Sequence, residues 1–129
     1  MKAYARDCWN RAEEAAQLAE DAIPISPDGA ASRAYYAAFH AVSALFALRG
    51  QTFTKHTAVD TAVHRDLVKP GHWPKELGKH YSDLWELRTT GDYGGLEHVT
   101  AEDARSAVEM ARAILEAVRT QCPELEQPA

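Results

Sequence analysis

The sequence SRAYYAAFHAVSALFALRG, residues 32–50, decides the fold. Its large apolar side chains recur every three to four positions, which is the period of an amphipathic helix. The apolar face is formed by Tyr35, Phe39, Val42 and Phe46. Gly50 stands where a residue in the left-handed conformation would end the helix. The spacing therefore predicts a long helix that begins near Asp28 or Ser32 and ends before Gly50.

Helical patterns continue on both sides of this stretch, separated by short breaks rich in proline and glycine. Further helices are predicted over residues 2–22, 55–69, 74–90 and 100–121. Thr54 is expected to cap the helix over 55–69, and Thr100 to cap the last one with Asp103 at capping-box spacing. The composition of GDYGG, residues 91–95, predicts a turn. No segment alternates like a strand, so we expect an all-α, up-and-down bundle of about five helices.

Length and composition are those of one soluble domain. The chain has 129 residues, of which 46% are hydrophobic and 26% charged. No apolar run is long enough to span a membrane, and the charged N-terminal segment differs from a signal peptide. We expect a single cytoplasmic domain over residues 1–122, followed by a frayed tail over residues 123–129.

The net charge of −5 argues against a broad basic surface for nucleic acids. Positive charge is concentrated in residues 49–88, which carry seven Lys/Arg against five Asp/Glu. A contact with phosphate is therefore expected in this middle third of the chain. Neither the cysteines nor the histidines have the spacing of metal ligands, and no cofactor-binding motif occurs. No metal and no cofactor is predicted.

Two polar clusters are candidate ligand-binding positions. Arg33, Tyr36 and His40 follow one another at helical spacing, so one side of the predicted helix carries all three. They either line a pocket for a ligand or are satisfied at a seam between two helices. Lys55 and His56 fall in the first turn of the next predicted helix, where backbone donors favour anions. Cations at that position indicate a compensating carboxylate or a bound anion.

A third cluster lies in ELRTTGDYGG, residues 86–95. Arg88 comes near the predicted end of a helix, where an arginine can simply interact with the helix dipole. Asp92 and Tyr93 follow in the expected glycine-rich turn, and loops expose the side chains that they carry. Arg88, Asp92 and Tyr93 are therefore the candidate catalytic residues.

These clusters together resemble a small HEPN-domain protein (higher eukaryotes and prokaryotes nucleotide-binding domain). The resemblance rests on the residues 32–50 quoted above, then TKHTAV (54–59), then PKELGKHYSDLWELRTTGDYGG (74–95), in that order. It extends over about residues 28–118. It implies an all-α bundle that pairs as a homodimer, and a relation to metal-independent endoribonucleases. Many of these are toxins that a nucleotidyltransferase partner keeps in check.

The resemblance implies a site at the dimer seam in which an arginine is followed, after four to six residues, by a histidine. In such a site the histidine handles a proton and the arginine stabilises an anionic phosphate. Here Tyr93 stands where that histidine is expected after Arg88, and His98 lies beyond the motif spacing. Arg33 and His40 match the spacing, but inside an earlier helix. By analogy with the toxin–antitoxin pairs, Tyr93 is also the residue to which a partner would transfer a nucleotidyl group.

Three functions remain open from the sequence. The first is a nucleotide- or RNA-binding homodimer, with ribonuclease activity carried by Arg88, Asp92 and Tyr93. The second is a catalytically inactive HEPN module that binds a nucleotide, an RNA or a nucleotidyltransferase. The third is a dimeric interaction domain in which Arg88 and Asp92 only lock a turn against the helix over 32–50.

Overall fold

The helix predicted from residues 32–50 is the central element of the fold. The computed structural model describes residues 2–127, and in it this helix, α2, spans Pro27–Leu48. Ser26 caps it, because its Oγ accepts a hydrogen bond from the Gly29 N–H at 3.0 Å. Pro27 occupies the first turn, where its missing N–H would have had no helical partner. The helix therefore begins just before the earlier of the two expected positions.

Four other α-helices surround α2, and the prediction of a five-helix, all-α bundle is confirmed. They are α1 (Lys2–Ala22), α3 (His56–Ala62), α4 (Lys75–Tyr93) and α5 (Ala101–Gln121). A π-helical segment, Val63–Val68, continues α3 and completes the span predicted for that helix. Residues 2–127 contain no strand, and none of their helices is both long enough and apolar enough to cross a bilayer.

The core forms around α2, which packs against α1, α4 and α5. Its many alanines are fully buried, and their small side chains allow neighbouring helices to approach on several sides. Larger side chains fill the remaining space between the helices; among the most buried are Trp9, Tyr35, Phe46, Leu84 and Ile114. A helix that is apolar on most of its circumference is stable only in the protein interior. The other helices therefore pack around α2.

The turn predicted over residues 91–95 is wrong in its first half. Helix α4 continues through Gly91 and Asp92 and ends at Tyr93. The chain turns afterwards, at Gly94 and at Gly95, whose φ is +62°. Gly91 has a packing role instead, because a Cβ at this position would lie 2.7 Å from the backbone oxygen of Asp28. The glycine lets the end of α4 approach the start of α2.

Two smaller expectations are also corrected. Thr54 does not cap α3; the N-cap is Lys55, and no side chain hydrogen-bonds there. The expected frayed tail is ordered as far as Gln127, because Pro123–Glu126 form a 3₁₀ turn that packs on α1 and α5. Leu125 is buried in the core and anchors this turn. Residues 128–129 of the expected tail lie outside the described residues. The cap predicted for α5 is present, since Thr100 Oγ1 accepts a hydrogen bond from the Asp103 N–H.

Replacing Gly91 with alanine is expected to destabilise the protein. The added Cβ would overlap the Asp28 carbonyl, so α4 must move away from α2, at a cost of about 1–3 kcal/mol. This outweighs the gain in helix propensity, which is at most about 1 kcal/mol. Urea unfolding measures the difference, with Glu86→Ala on the exposed surface of the same helix as control. A G91A protein as stable as the control would contradict the close approach.

Candidate functional site

The candidate site lies on the antiparallel seam between the first half of α2 and the last two turns of α4. Going up α4, Arg88 contacts Tyr36 and Asp92 contacts Ser32, one turn further toward the start of α2. Gly91 lies against the backbone of Asp28, which is one turn nearer than Ser32 to the start of α2. The backbone approach at Gly91 therefore determines which side chains of the two helices meet.

Arg88 is the centre of this seam and is only 12% exposed. Its Nη2 donates a hydrogen bond to the Tyr36 hydroxyl at 3.0 Å. Its Nε lies 3.0 Å from Asp92 Oδ2, in an ion pair without the alignment of a hydrogen bond. The same Oδ2 accepts a bond from the Ser32 hydroxyl at 3.3 Å. Asp92 thus offsets the cost of placing the guanidinium in a largely buried position.

Aromatic rings surround the Arg88 guanidinium. Its central carbon lies 5.2–5.9 Å from the ring centroids of Tyr35, Tyr36, Trp85 and Tyr93. Three of these rings are part of the packed interior or its margin, but the Tyr93 residue is 71% exposed. The cation attracts the face of this ring and holds it at the surface. The seam therefore ends in a ring that is held by a cation and accessible to solvent.

Tyr36 joins the seam to the other predicted positions. The Arg33 guanidinium lies 4.8 Å from its ring centroid, and Arg33 is exposed. The rings of His40 and His56 lie 6.3 and 5.7 Å from it. Arg33, Tyr36 and His40 thus share one side of α2, as their spacing predicts, and His56 reaches the same ring from α3.

His56 is half-buried and packs against the buried Tyr35 ring. Its Nδ1 is hydrogen-bonded to the Tyr35 hydroxyl at 2.9 Å, and its ring centroid is 4.5 Å from that of Phe39. Burial raises the pKa of Tyr35 to about 12, so this hydroxyl keeps its proton at neutral pH. Burial, and then the nearby Arg88 charge, lowers the pKa of His56. The imidazole is consequently neutral at pH 7.

A groove of about 380 Å³ opens between α1 and α2 beside this cluster. Arg33 and His40 line it from α2, and Arg11 and Asp7 from α1. Arg11 is paired with Asp7 at 2.9 Å. Burial, followed by the charges of Arg11 and Arg33, lowers the pKa of His40. The groove thus has guanidinium groups on both walls, with the Asp7 carboxylate compensating one of them.

The loop after α4 is fastened to the start of α2 by Asp28. This carboxylate accepts a bond from the Val99 N–H at 2.7 Å through Oδ1, and one from His98 Nδ1 at 2.7 Å through Oδ2. The hydrogen bond from His98, and then that from Val99, lowers the pKa of Asp28. Val99 packs with Ala30, Ala31 and Ala104 in a small apolar cluster beneath the loop.

Most of the residues singled out in the sequence meet in this region. Seven of them are connected through Tyr36 and Arg88, namely Arg33, Tyr36, His40, His56, Arg88, Asp92 and Tyr93. Lys55 is exposed and immediately precedes His56. Asp92 and Tyr93 are on a helix and not in a turn, so their positions are fixed by α4. Within residues 2–127 no three His, Cys, Asp or Glu side chains converge as metal ligands would.

Sequence reasoning missed three contributors. Ser32 holds Asp92, and the pair formed by Asp28 and His98 flanks the seam. The sequence did give one signal for Asp28, because it lies in the first turn of a helix that begins with serine and proline. That position explains an acidic residue as a partner of the helix dipole. It does not indicate the contact with His98. Partners 60 and 70 residues apart carry no local periodicity that would reveal them.

Comparison with known proteins identifies the family to which this fold belongs. A family model for the HEPN domain matches residues 5–121. The chain belongs to the HEPN family. It is 40% identical over 98 residues to a UPF0332 protein of Thermotoga maritima, which covers 76% of this chain and 74% of that protein. It is 30% identical over 105 residues to a UPF0332 protein of Gloeobacter violaceus, covering 78% and 81%. This HEPN protein is thus of the UPF0332 group.

A solved structure shows the same fold. The crystal structure of TT1696 from Thermus thermophilus aligns with a TM-score of 0.78, covering 91% of this chain and 97% of that one. The two sequences are 24% identical. The shared features are therefore the helices and their arrangement.

The stability of this HEPN domain is expected to fall as the pH is lowered from 7 to 5. The folded-state pKa of His56 is below its unfolded value near 6.5. As the pH falls, the unfolded chain therefore binds a proton before the folded protein does, and this lowers the free energy of unfolding. His40 acts in the same direction. Urea unfolding across this range should show a shallower pH slope for His56→Gln, because glutamine does not titrate. Exposed His72→Gln is the control; equal slopes for wild type and H56Q would refute the assignment.

Proposed function

We propose that this HEPN protein binds single-stranded RNA or a nucleotide at the α2–α4 seam, as a homodimer that acts with a nucleotidyltransferase partner in a toxin–antitoxin-type system. One observation carries the proposal. The exposed Tyr93 ring lies over the Arg88 guanidinium, and the exposed Arg33 guanidinium lies 4.8 Å from the centroid of the neighbouring Tyr36 ring. A fixed, accessible ring with nearby cations matches the two parts of a nucleotide, a base that stacks and a phosphate that carries charge.

The distribution of charge supports a local and not an extended contact. The chain as a whole is acidic, with a net charge of −5, so nucleic acid would not be held by a general basic surface. Arg33 and Lys55 are exposed near the aromatic cluster, whereas Arg88 is largely neutralised by Asp92. Few phosphate contacts are therefore available, and stacking has to supply much of the affinity. We expect short ligands to bind nearly as well as long ones.

A second function is favoured by the internal contacts of Arg88. This residue is mostly buried and its bonds to Tyr36 and Asp92 join α2 to α4. Such contacts suffice for an interaction module in which the seam is only a structural lock. Replacing Arg88 would weaken the fold under either proposal, so this residue cannot distinguish them. The exposed residues Tyr93 and Arg33 can, because their loss leaves the buried contacts in place.

Exposed-residue variants should weaken binding without changing stability. Tyr93→Ala removes the stacking ring, worth about 1–3 kcal/mol per base, so affinity for a short fluorescent RNA should fall about tenfold or more. Arg33→Ala removes one phosphate contact and should reduce the slope of log K against log salt by about 0.7. Fluorescence anisotropy in EDTA measures both, with ATP as a competitor to compare a nucleotide with RNA.

Matched controls are available away from the α2–α4 seam. Tyr4→Ala removes a half-exposed tyrosine of α1, and Arg105→Ala an exposed arginine of α5. Neither should change the affinity. If the folded wild-type protein binds neither RNA nor ATP, the ligand proposal fails and the interaction module is favoured.

Tyr93 is also the proposed acceptor of a nucleotidyl group from the partner enzyme. Its exposed position at the end of α4 is accessible to a second protein. Co-expression with a nucleotidyltransferase of the proposed partner class should add the mass of one adenylate per chain, measured by intact mass spectrometry. Tyr93→Phe should abolish the addition and Tyr4→Phe should not. An addition that survives Y93F would remove this assignment.

A further inference from the structure

A groove of about 360 Å³ runs between α4 and α5. Carboxylates line it from both helices, Asp83 and Glu86 from α4 and Asp103 from α5. Leu87 and Met110 also line it, and both pack against the core without being fully buried. The groove therefore combines apolar surface with acidic side chains on its two walls.

Most of the negative charge in this groove is not neutralised within the protein. Asp83 accepts a hydrogen bond from Lys79 at 2.8 Å. Glu86 and Asp103 are exposed, and neither carboxylate has a hydrogen bond or an ion pair within residues 2–127. Among the described residues, no Lys or Arg lines the groove. Its charge therefore favours a cationic occupant.

The loop that joins α4 to α5 adds an apolar side chain at the end of the groove. Leu96 in this loop is 99% exposed, the highest value among the exposed large hydrophobic residues of the described chain. Folding gains little from a leucine in that position. Acidic residues follow it at positions 97 and 102. Apolar and acidic surface thus continues together beyond the ends of the two helices.

The length and charge of the groove indicate what it can hold. From Asp83 to Thr90 it follows about two turns of α4, or about 10 Å. An amphipathic helix places apolar side chains at positions i and i+4 over that length, with polar side chains on either side. Phosphates of a nucleic acid would be repelled by the carboxylates. A second copy of this chain is itself acidic, with a net charge of −5.

We propose that the α4–α5 groove docks a basic amphipathic helix of a protein partner. Apolar side chains of that helix pack on Leu87 and Met110, and its Lys or Arg side chains pair with Glu86 and Asp103. The combination of an apolar floor with unpaired carboxylates on both walls matches this partner in shape and in charge.

This docking surface is separate from the proposed ligand site. On α4, Glu86 comes two positions before Arg88, which corresponds to a rotation of about 200° around the helix axis. Arg88 contacts Tyr36 of α2, so the groove is on nearly the opposite side of α4. A partner in the groove would leave the α2–α4 seam accessible. The inference therefore does not depend on the proposed binding of RNA.

The probe is a peptide of about 18 residues composed of Leu and Lys, which is long enough to form an amphipathic helix. Its counterpart has the same leucines with Glu in place of each Lys. Titration of the isotope-labelled protein, followed by NMR, should give saturable shifts of amide resonances within residues 83–90 and 96–110 for the Leu/Lys peptide. The Leu/Glu peptide should give none, because its charges repel those of the groove.

A variant that fills the groove tests the place of binding. Ser106→Trp adds a large ring from an exposed position on the groove wall and should abolish saturable binding. Thr120→Trp is the matched control, because Thr120 is exposed near the other end of α5 and does not line the groove. It should bind the peptide as the wild type does, and the melting temperature shows whether each variant is folded.

A second variant tests the charge. Glu86→Gln combined with Asp103→Asn should weaken binding by about three- to tenfold at low salt, as expected for two exposed ion pairs, and should reduce its salt dependence. Glu13→Gln combined with Glu14→Gln removes the same charge from the exposed surface of α1. This control should have the wild-type affinity.

Saturable shifts confined to the groove, lost in S106W and weakened in E86Q/D103N, would support the docking surface. A folded wild-type protein that does not bind the Leu/Lys peptide would overturn it. So would equal binding of both peptides, or equal weakening by the two double variants, which would indicate general attraction to an acidic protein. A dimer that S106W dissociates in sedimentation would show instead that a second copy covers the groove. If S106W does not fold, the E86Q/D103N protein and its control decide the question.

Discussion

The close approach of two backbones at Gly91 is the constraint on which the site depends. Because residue 91 has no Cβ, the end of α4 can lie against the Asp28 carbonyl at the start of α2. That approach sets the register of the antiparallel seam, with Asp92 opposite Ser32 and Arg88 opposite Tyr36. The chain then leaves α4 beside Asp28, which holds the following loop. A wider separation of the helices would part each of these pairs.

Burial of a cation follows from this register. Arg88 is placed where it is only 12% exposed, and an unpaired charge there would be costly. The structure compensates it with a carboxylate one turn away on the same helix, a hydrogen bond to Tyr36 and the faces of several rings. The same contacts make the surrounding rings rigid. Stability and the shape of the site are therefore not independent at this residue.

The sequence predicted the fold well because the fold depends on local periodicity. The apolar spacing along residues 32–50 is strong enough to define α2 and its burial, and it also places Arg33, Tyr36 and His40 on one side. The segment 91–95 was misjudged because glycine has two uses that look identical in a sequence. Gly95 permits a positive φ, whereas Gly91 permits a close helix contact, and only the packing of α2 distinguishes them.

The sequence predicted which residues belong to the site better than it predicted how they are arranged. Residues that share a helix face could be grouped, but the bond from Arg88 to Tyr36 joins positions 52 apart and requires the tertiary fold. His98 shows the limit most clearly. By motif spacing it lies too far from Arg88 to matter, yet Asp28 brings it to the turn of α2 next to the one that holds Asp92. Spacing along the chain indicates proximity only within one element, whereas this site combines residues of α2, of α4 and of the loop after α4.

The contacts at the seam fall into two groups, those between the two helices and those of side chains exposed at its edge. The two groups differ in what they indicate about function. The ion pair between Arg88 and Asp92 and the hydrogen bond from Ser32 to Asp92 stabilise the bundle whatever the protein does. The side chains of Tyr93 and His98 are exposed at the edge, so folding gains little from them. A lock between two helices needs only the first group. A ring held over a cation and an imidazole held by a carboxylate, both facing solvent, therefore support a ligand more strongly than the buried contacts do.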